Sequence, residues 1–300
     1  SLCGSINIRT HKPLDTKRDL FIATAQMQYS DVSNKYDPQL SLLYNWVNRS
    51  QDFGVLVSAS RHERQLRRDG LESWGWAERN FNITDNGQLS LTENEQADIK
   101  SLWSPGGGGS AVFQQHRVLT SLMASVQYQP DLHWSFELNT LYSDLSANNS
   151  NQNFLWMPSF VYDRGGNITD YLIRDNTLIY AQYGEVPEQS GANIPFNTSM
   201  EAIWRESNID TSLVHFIADY QSEYWQYTFE LGHTRASGGT SKDYTSQWSA
   251  NTSYNVDLSA QKNIVADYQI SPNDADSWQA SEVRWDQQDS IDQETFLQTD

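Results

Sequence analysis

Tryptophan and glutamate residues lie close together in one stretch of the sequence, between positions 72 and 103. The stretch contains Trp74, Trp76 and Trp103, with Glu72 and Glu78 beside them. Aromatic rings stack on the faces of sugar rings, and carboxylates accept hydrogen bonds from sugar hydroxyls. These five residues are therefore a candidate glycan-binding surface. The competing interpretation is that the tryptophans only pack a long loop against its neighbours.

Patterns for catalysis or metal binding are absent from the sequence. No nucleophile, general base and orienting group stand close together. Four consecutive glycines, Gly106 to Gly109, are not followed by the Lys-Ser/Thr of a phosphate-binding loop, and we expect them to form a flexible loop tip. The histidines are scattered without metal-ligand spacing: His11, His62, His116, His133, His215 and His233. We therefore expect a protein without catalytic residues, metal or cofactor.

The composition excludes two further classes. The chain has 38 Asp and Glu against 20 Lys and Arg, a net charge of -18. Nucleic-acid binding is not expected, because phosphate contacts need clustered cations. Aromatic residues make up 12% of the chain, yet hydrophobic residues reach only 38%. No window approaches the roughly 18 consecutive apolar residues of a membrane helix, so a bilayer could be crossed only by strands.

Apolar and polar residues alternate with a period of two along much of the chain, which is typical of strands with one apolar and one wet face. In the clearest case Trp225, Tyr227, Phe229 and Leu231 share one face. The same alternation runs through residues 20–29, 40–47, 53–62, 117–128 and 134–143. Aromatic residues mark the strand ends: Tyr29, Trp46, Tyr128, Trp134, Tyr142 and Trp225. The pattern predicts seven nearly complete strands and the start of an eighth at Glu294.

Short and long connections alternate between these strands. Residues 50–52, 129–132 and 221–223 form short turns, whereas 67–112, 147–208 and 236–293 are long and 31–39 is intermediate. One rim of short turns and one of long loops is typical of outer-membrane barrels. We therefore predict an all-β fold: a partial transmembrane antiparallel β-barrel, about eight strands of a larger plugged barrel, with long extracellular loops. Strand-like segments at 172–180 and 264–270 should be hairpins above the membrane.

The first fifteen residues, SLCGSINIRTHKPLD, resemble the end of the plug domain of TonB-dependent outer-membrane receptors. In that family a Gly-rich turn precedes a strand of the form Val-Asn-Ile/Leu-Arg-Thr, a basic residue and Pro. Gly4, Asn7, Arg9, Lys12 and Pro13 hold such places here, and Cys3 stands where glycine is usual. Residues 53–60 resemble a barrel hairpin of the same family. Residues 113–117, 126–130 and 141–144 are similar to barrel segments of a subgroup that imports complex nutrients, often oligosaccharides.

The resemblance implies that residues 1–15 end a plug domain and its linker, that residues 16–300 begin a barrel, and that both ends are cut from a longer receptor. It implies the outer membrane of a Gram-negative bacterium, contact with outer-membrane lipid, and energy from the TonB-ExbB-ExbD complex acting through a part that precedes this chain. Asn7, Arg9 and Lys12 would contact the barrel wall. Glu137 and Glu230 are candidate partners there, because a buried cation needs a carboxylate.

We therefore expect active import of a bulky nutrient, an oligosaccharide or similar small molecule. A ferric-siderophore receptor is the alternative, but its often anionic ligand would favour Arg, Lys or Tyr, and the long loops are acidic. A soluble carbohydrate-binding β protein would explain the tryptophans but not the rhythm of the connections. A glycoside hydrolase would need a distinguishable carboxylate pair.

Overall fold

The computed structural model describes residues 11–92, 100–188, 195–260 and 264–299. Strands account for 73% of the described residues and helices for 4%. The prediction of an all-β fold with antiparallel strands is therefore confirmed. The only α-helix in the described ranges is α1 (Pro158–Asp163), and two 3-10 turns lie at Pro13–Asp15 and Ala275–Ser277.

Fifteen strands are described, of which eight form one large sheet and seven a smaller one. In chain order they are β1 (Leu20–Ser30), β2 (Lys35–Val47), β3 (Phe53–Trp74), β4 (Ala77–Ile83), β5 (Leu89–Leu91), β6 (Lys100–Ser104), β7 (Gly107–Tyr128), β8 (Trp134–Trp156), β9 (Ile168–Arg174), β10 (Thr177–Tyr183), β11 (Thr198–Gln221), β12 (Gln226–Ala250), β13 (Tyr254–Asp257), β14 (Val265–Tyr268) and β15 (Gln279–Thr299).

The large sheet has the order β1-β2-β3-β7-β8-β11-β12-β15, and each strand pairs antiparallel with the next. Its registers bring the predicted apolar positions to one face. One cross-strand row illustrates this: Trp46, Val55, Val126, Leu138, Phe216, Leu231 and Leu297. We call the face that contains this row the apolar face and the opposite one the polar face. Because side chains alternate along each strand, one correct register places the whole set together.

The long strands extend beyond the segments that alternation predicts. The connections are 75–106, 157–197 and 251–278 at one end of the sheet, and 48–52, 129–133 and 222–225 at the other. Residues 31–34 form a short turn at the long-connection end. The predicted boundaries of the long connections were wrong because both faces are polar in the outer part of the strands. The backbone ladder continues there without the apolar alternation that marks it in the sequence.

The long connections fold together into the smaller sheet, whose order is β14-β13-β10-β6-β4-β5-β9, with β9 also paired to β10. Strands β4–β6, β9–β10 and β13–β14 come from three different connections. Segments 172–180 and 264–270 do lie in hairpins, but these are parts of this one sheet rather than separate elements. The sheet encloses a core of buried residues: Phe81, Leu89, Leu102, Trp156, Val161, Tyr162, Ile168, Leu178, Ala181, Tyr183, Val186, Tyr254 and Val256.

The glycine run is not a flexible loop tip. Gly107, Gly108 and Gly109 are buried at the start of β7, and Gly106 directly precedes the strand. A Cβ on Gly107 would lie 2.7 Å from the Trp74 ring, and a Cβ on Gly108 would collide with the Trp156 ring. The glycines therefore serve close packing: they let two large rings lie directly on the backbone.

This packing predicts different effects for two Gly→Ala substitutions in long strands. Gly108→Ala should lower the free energy of unfolding by about 1–3 kcal/mol, because an overpacked site must shift. Gly70→Ala should change it by less than about 0.5 kcal/mol, since a Cβ there meets no atom within 4 Å. Thermal melting of the two purified variants measures the difference. Equal shifts of the melting temperature would contradict the role of Gly108.

Candidate functional site

A short segment before β1, residues 12–16, lies on the polar face near the short-turn end of the large sheet. Leu14 is only 6% exposed, and its backbone N–H donates a hydrogen bond to Gln127 Oε1 at 3.1 Å. Gly54 provides the space, because a Cβ there would lie 2.8 Å from Pro13 Cβ. The segment therefore packs on β3 and β7. The Leu14–Gln127 hydrogen bond holds it, and Gly54 leaves room for Pro13 because it has no side chain.

Asn45 holds the same segment from β2. Its side chain is almost completely buried, at 1% exposure. The Nδ2 atom lies 3.0 Å from Pro13 O, 2.8 Å from Thr16 Oγ1 and 3.1 Å from Arg18 O. Buried polar groups are costly unless they are hydrogen-bonded, so this amide orders the entry of the chain into β1.

An ion pair joins the segment to β8. Lys12 Nζ lies 2.7 Å from Glu137 Oε2, and the Glu137 side chain is only 5% exposed. Asn139 Nδ2 donates to the other carboxylate oxygen, Oε1, at 2.7 Å. Removal of one partner from a fully buried pair costs about 3–5 kcal/mol. The cost here should be smaller, because Lys12 is 39% exposed and water can reach it.

Glu230, the other predicted carboxylate, does not contact residues 12–16. Glu230 lies on β12 and pairs with His215, at 3.0 Å between Oε2 and Nε2. Asn7 and Arg9 lie outside the described residues. The sequence offered Glu137 and Glu230 as equivalent candidates, and only Glu137 contacts the segment. Asn45 and Gln127 carry no signal in the sequence that distinguishes them from other polar-face residues.

The predicted glycan-binding residues lie where the large sheet meets the small one. Glu72 and Trp74 end β3, and the Trp74 ring covers Gly107. Trp76 follows the strand, with Nε1 donating to Ser73 Oγ at 3.0 Å. Glu78 on β4 and Trp103 on β6 are directly opposite each other. The structure therefore joins Trp103 to Glu78, while Trp74 is committed to packing.

Trp103 owes its position to the alternation of β6. Leu102 and Ser104 are buried in the small sheet, so Trp103 between them points away and is 46% exposed. Its backbone N–H donates to Asn176 O at 2.8 Å, which ties β6 to the turn before β10. An exposed indole on a rigid strand, opposite an exposed carboxylate, is suited to stacking on a sugar ring and accepting its hydroxyl hydrogen bonds.

Beside Trp76 an open cleft of about 860 Å³ separates the two sheets. Its lining is mainly apolar, with one carboxylate, Asp69. Trp74 and Trp103 do not line it. The remaining lining residues come from β3, β7, β10 and the segment after β13, among them Leu71, Val112, Ile179 and Leu258.

The buried tyrosines in the core of the small sheet are uncharged. Tyr162 Oη and Tyr183 Oη lie 3.2 Å apart in a hydrogen bond. Burial raises the pKa of Tyr162 to about 12, although the bond to Tyr183 acts in the opposite direction. Burial also raises the pKa of Tyr183 and Tyr254 well above the usual value. All three tyrosine rings therefore act as packing groups. The Arg79 guanidinium lies over the Tyr162 ring, 5.2 Å from its centroid.

Two absences apply to the described residues alone. No helix among them is long and apolar enough to span a membrane. No group of three or more His, Cys, Asp and Glu side chains in these ranges is placed to hold a metal ion. Comparison with known proteins found no matching protein family, no similar curated protein and no similar solved structure.

The Lys12–Glu137 pair can be measured by a double-mutant cycle. Lys12→Met and Glu137→Gln should each destabilise the protein, and the double variant should lose less than their sum, with a coupling energy of about 0.5–3 kcal/mol. Pairing Lys12→Met with Glu230→Gln is the matched control, and its coupling should be near zero. Denaturant unfolding of the purified variants provides the free energies. Equal coupling in the two cycles would show that Lys12 has no specific partner.

Proposed function

We propose that this chain is part of a TonB-dependent receptor that imports an oligosaccharide across the outer membrane of a Gram-negative bacterium. Residues 1–15 would end the plug, and residues 16–300 would form the first strands of the barrel. The apolar face is the observation that carries the proposal. Leu42, Leu122, Leu138 and Val214 on four different strands are 40–51% exposed there, in one uninterrupted sheet. Such a large exposed apolar surface calls for a lipid or protein partner.

The height of the apolar face, measured along the axis of the proposed barrel, is close to the thickness of the apolar layer of an outer membrane. On β8 the apolar face begins at Trp134 and reaches Tyr142, eight residues further (142 − 134), before Asp144 ends it. At about 3.4 Å per residue the stretch is about 27 Å long. At the tilt of barrel strands, about 35–45°, it would cover about 20 Å, close to the roughly 25 Å apolar band of such barrels.

A line of aromatic rings follows the short-turn end of the apolar face. Neighbouring rings in the line have centroids 4.9–6.4 Å apart. Its members run from β2 to β11: Trp46, Phe53, Tyr128, Phe136, Trp134 and Tyr220. Tyr227 continues the line on β12, where it is in register with Tyr220. Aromatic girdles of this kind lie at the membrane–water interface of outer-membrane barrels.

The line also crosses the strands at an angle. Trp46 on β2 is in register with Leu231 on β12, yet the line reaches β12 at Tyr227, four residues nearer the turn (231 − 227). Four residues of about 3.4 Å across five strand spacings of about 4.8 Å give a slope of about 30°. That slope is measured from the perpendicular to the strands. A girdle that runs parallel to the membrane plane deviates from this perpendicular by the strand tilt, about 35–45° in barrels.

The contacts of residues 12–16 support the plug assignment. A plug fills the lumen, so its last residues must bind the polar wall, as Lys12 and Leu14 do with Glu137 and Gln127. The contacts are few and partly hydrated. A pull transmitted from TonB-ExbB-ExbD through the plug could therefore break them without unfolding the barrel.

The oligosaccharide assignment depends on Trp103 and Glu78. The long connections bring this pair to the surface of the folded small sheet, at the end of the barrel strands opposite the short turns. In the proposed receptor that end would face the exterior. Import would consist of ligand binding followed by gating of the plug. It requires no catalytic residue and no cofactor.

The membrane-facing assignment predicts opposite outcomes for neighbouring substitutions on β3. Val57→Arg, in the middle of the apolar band, should impair outer-membrane assembly, because Arg at the bilayer midplane costs about 2–4 kcal/mol. Ser58→Arg, on the polar face, should assemble normally. Both variants are tested in the full-length protein by membrane fractionation and heat-dependent gel mobility. Equal assembly of the two would contradict the membrane assignment.

The ligand assignment predicts that Trp103→Ala weakens oligosaccharide binding by more than about 1 kcal/mol, as loss of an anchor residue does. Glu78→Gln should weaken it less, and Trp103→Phe should retain most of it. Binding and growth are measured with a panel of malto-, xylo- and chito-oligosaccharides. Trp74→Ala is the packing control, and it should increase protease cleavage of the loops on intact cells. If Trp103→Ala grows normally and cells without the protein fail only on ferric chelates, the ligand is iron.

A further inference from the structure

Three arginines lie on the polar face of β3 and β7, between the docked residues 12–16 and the small sheet. Arg64 and Arg68 share the face of Gly54, because each is an even number of residues from it along β3. Arg117 on β7 is directly opposite Arg64, and the register of the two strands has no shift along its length. We call Arg64, Arg68 and Arg117 the arginine cluster.

The charges of the arginine cluster have no counter-ion in the described part of the chain. None of its three guanidinium groups forms an ion pair with a described residue. On the apolar face of the same strand, Arg61 and Arg67 each pair with a carboxylate two residues further along. All three cluster side chains are exposed. Like charges directly opposite each other destabilise a sheet, so an anion bound between Arg64 and Arg117 would relieve their repulsion.

Two carboxylates share this part of the polar face with the arginine cluster. Asp37 on β2 is 1% exposed, and its Oδ1 accepts a hydrogen bond from Gln65 N at 2.9 Å. Glu72 lies near the end of β3, and β7 contains no Asp or Glu. Three guanidinium groups against these two carboxylates leave the region positive. The net charge of -18 is therefore distributed unevenly over the chain.

The arginine cluster lies between the candidate ligand site and the docked residues 12–16. Arg64 and Arg68 are ten and fourteen residues beyond Gly54, which packs against Pro13 (64 − 54 and 68 − 54). At about 3.4 Å per residue and a tilt of about 40°, they stand about 26–36 Å above that contact. In the proposed receptor, a ligand that moves from the small sheet towards the plug therefore passes the cluster.

The spacing of the three arginines suits an extended ligand with several anionic groups. Arg64 and Arg117 have Cβ atoms about 5 Å apart on neighbouring strands, so both can bind one carboxylate. Arg68 is four residues from Arg64, about 14 Å along the strand (68 − 64). Its Cζ lies 5.9 Å from the centroid of the Phe113 ring directly opposite, and this contact holds it at its own level. One compact anion therefore does not bridge the cluster, whereas a chain of charged units does.

Amide side chains beside the arginine cluster suit a sugar chain. Gln115 lies between Arg117 and Phe113 on the polar face of β7, and Asn149 and Asn151 on β8 are opposite Gln115 and Phe113. All three amides are partly exposed. Amide groups both donate to and accept from hydroxyl groups, so they complement the uncharged part of a saccharide.

We propose that the arginine cluster binds the carboxylates of an acidic oligosaccharide, a chain of uronic acids, with Arg64 and Arg117 on one sugar unit and Arg68 on another. The inference rests on the proposed import of an oligosaccharide and names the class of that ligand. The acidic long connections disfavour a compact anion at the exterior. A sugar chain can present its rings and hydroxyls to Trp103 and Glu78, and its carboxylates to the cluster.

The test uses the full-length protein, purified in detergent, and isothermal titration calorimetry. The probes are tetragalacturonate and its fully methyl-esterified form, which has the same sugar chain without the charge. The unmodified protein should bind tetragalacturonate at least tenfold more tightly than the ester, and the preference should decrease at high salt. The double variant Arg64→Gln/Arg117→Gln should bind tetragalacturonate at least tenfold more weakly and the ester within twofold of the unmodified protein.

The matched control is Arg61→Gln/Arg67→Gln, which removes the same charge from the apolar face of the same strand. Its affinity for tetragalacturonate should stay within twofold of the unmodified protein. Arg68→Gln alone should give a smaller loss than Arg64→Gln/Arg117→Gln, because the facing pair remains. Failure of the unmodified protein to prefer the acid over the ester, or equal losses in the two double variants, would overturn the inference.

A second measurement separates ligand binding from a role in holding the plug. If Arg64 and Arg117 instead pair with plug carboxylates, their double variant should have a lower melting temperature and a higher ion conductance in planar bilayers, with an unchanged preference for the acid. That combination would overturn the inference. The expected result is a lost preference with an unchanged melting temperature and conductance.

Failure of the inference can be told apart from failure of the proposed function. If Trp103→Ala impairs growth on neutral oligosaccharides while the unmodified protein does not prefer the acid, only the assignment of the arginine cluster is wrong. Ferric citrate, a compact anionic chelate, is the further probe. If it binds the unmodified protein but not Arg64→Gln/Arg117→Gln, and neither tetramer binds, the ligand is an iron chelate and both assignments are wrong.

Discussion

The large sheet depends on one continuous backbone hydrogen-bond ladder between consecutive long strands. Side chains alternate along each strand, so a register slip of one residue would move every apolar group of that strand to the polar face. The registers that carry Phe53 opposite Tyr128, and Tyr128 opposite Phe136, therefore also place Gln127 beside Glu137 on the polar face. The aromatic line and the docking of residues 12–16 both follow from the same ladder.

The two faces have different energetic requirements, and the chain meets them with different residues. On the polar face two buried side chains have partners: Asn45 Nδ2 bonds the backbone of residues 13 and 18, and Glu137 pairs with Lys12 and Asn139. On the apolar face large side chains such as Leu42, Leu122 and Val214 remain about half exposed. In the proposed receptor, lipid would cover the apolar face and the plug would cover the polar face.

The long connections are stabilised in another way, by a core like that of a water-soluble domain. Trp156 ends β8 inside this core, and Gly108 lets its ring approach the backbone of β7. The small sheet is thereby attached to the large one by packing rather than by a shared ladder. Within the small sheet, the pairing of β4 with β6 places Trp103 and Glu78 opposite each other on one surface. The Trp74 ring packs on Gly107. A substitution at Trp74 therefore tests packing more than ligand recognition.

The sequence by itself determined the strand faces, the order of short and long connections and the aromatic strand ends, because alternation follows from local backbone geometry. It could not determine how far the strands extend, since the ladder beyond Arg61 or Asp144 no longer separates apolar from polar residues. Only the tertiary structure decided that Gly107 to Gly109 lie in a strand beneath two indole rings. It also decided that Lys12 contacts Glu137 and not Glu230, and that three distant connections form one sheet. These outcomes depend on contacts between residues far apart in the chain, and neither the residue types nor their local spacing encodes which partners meet.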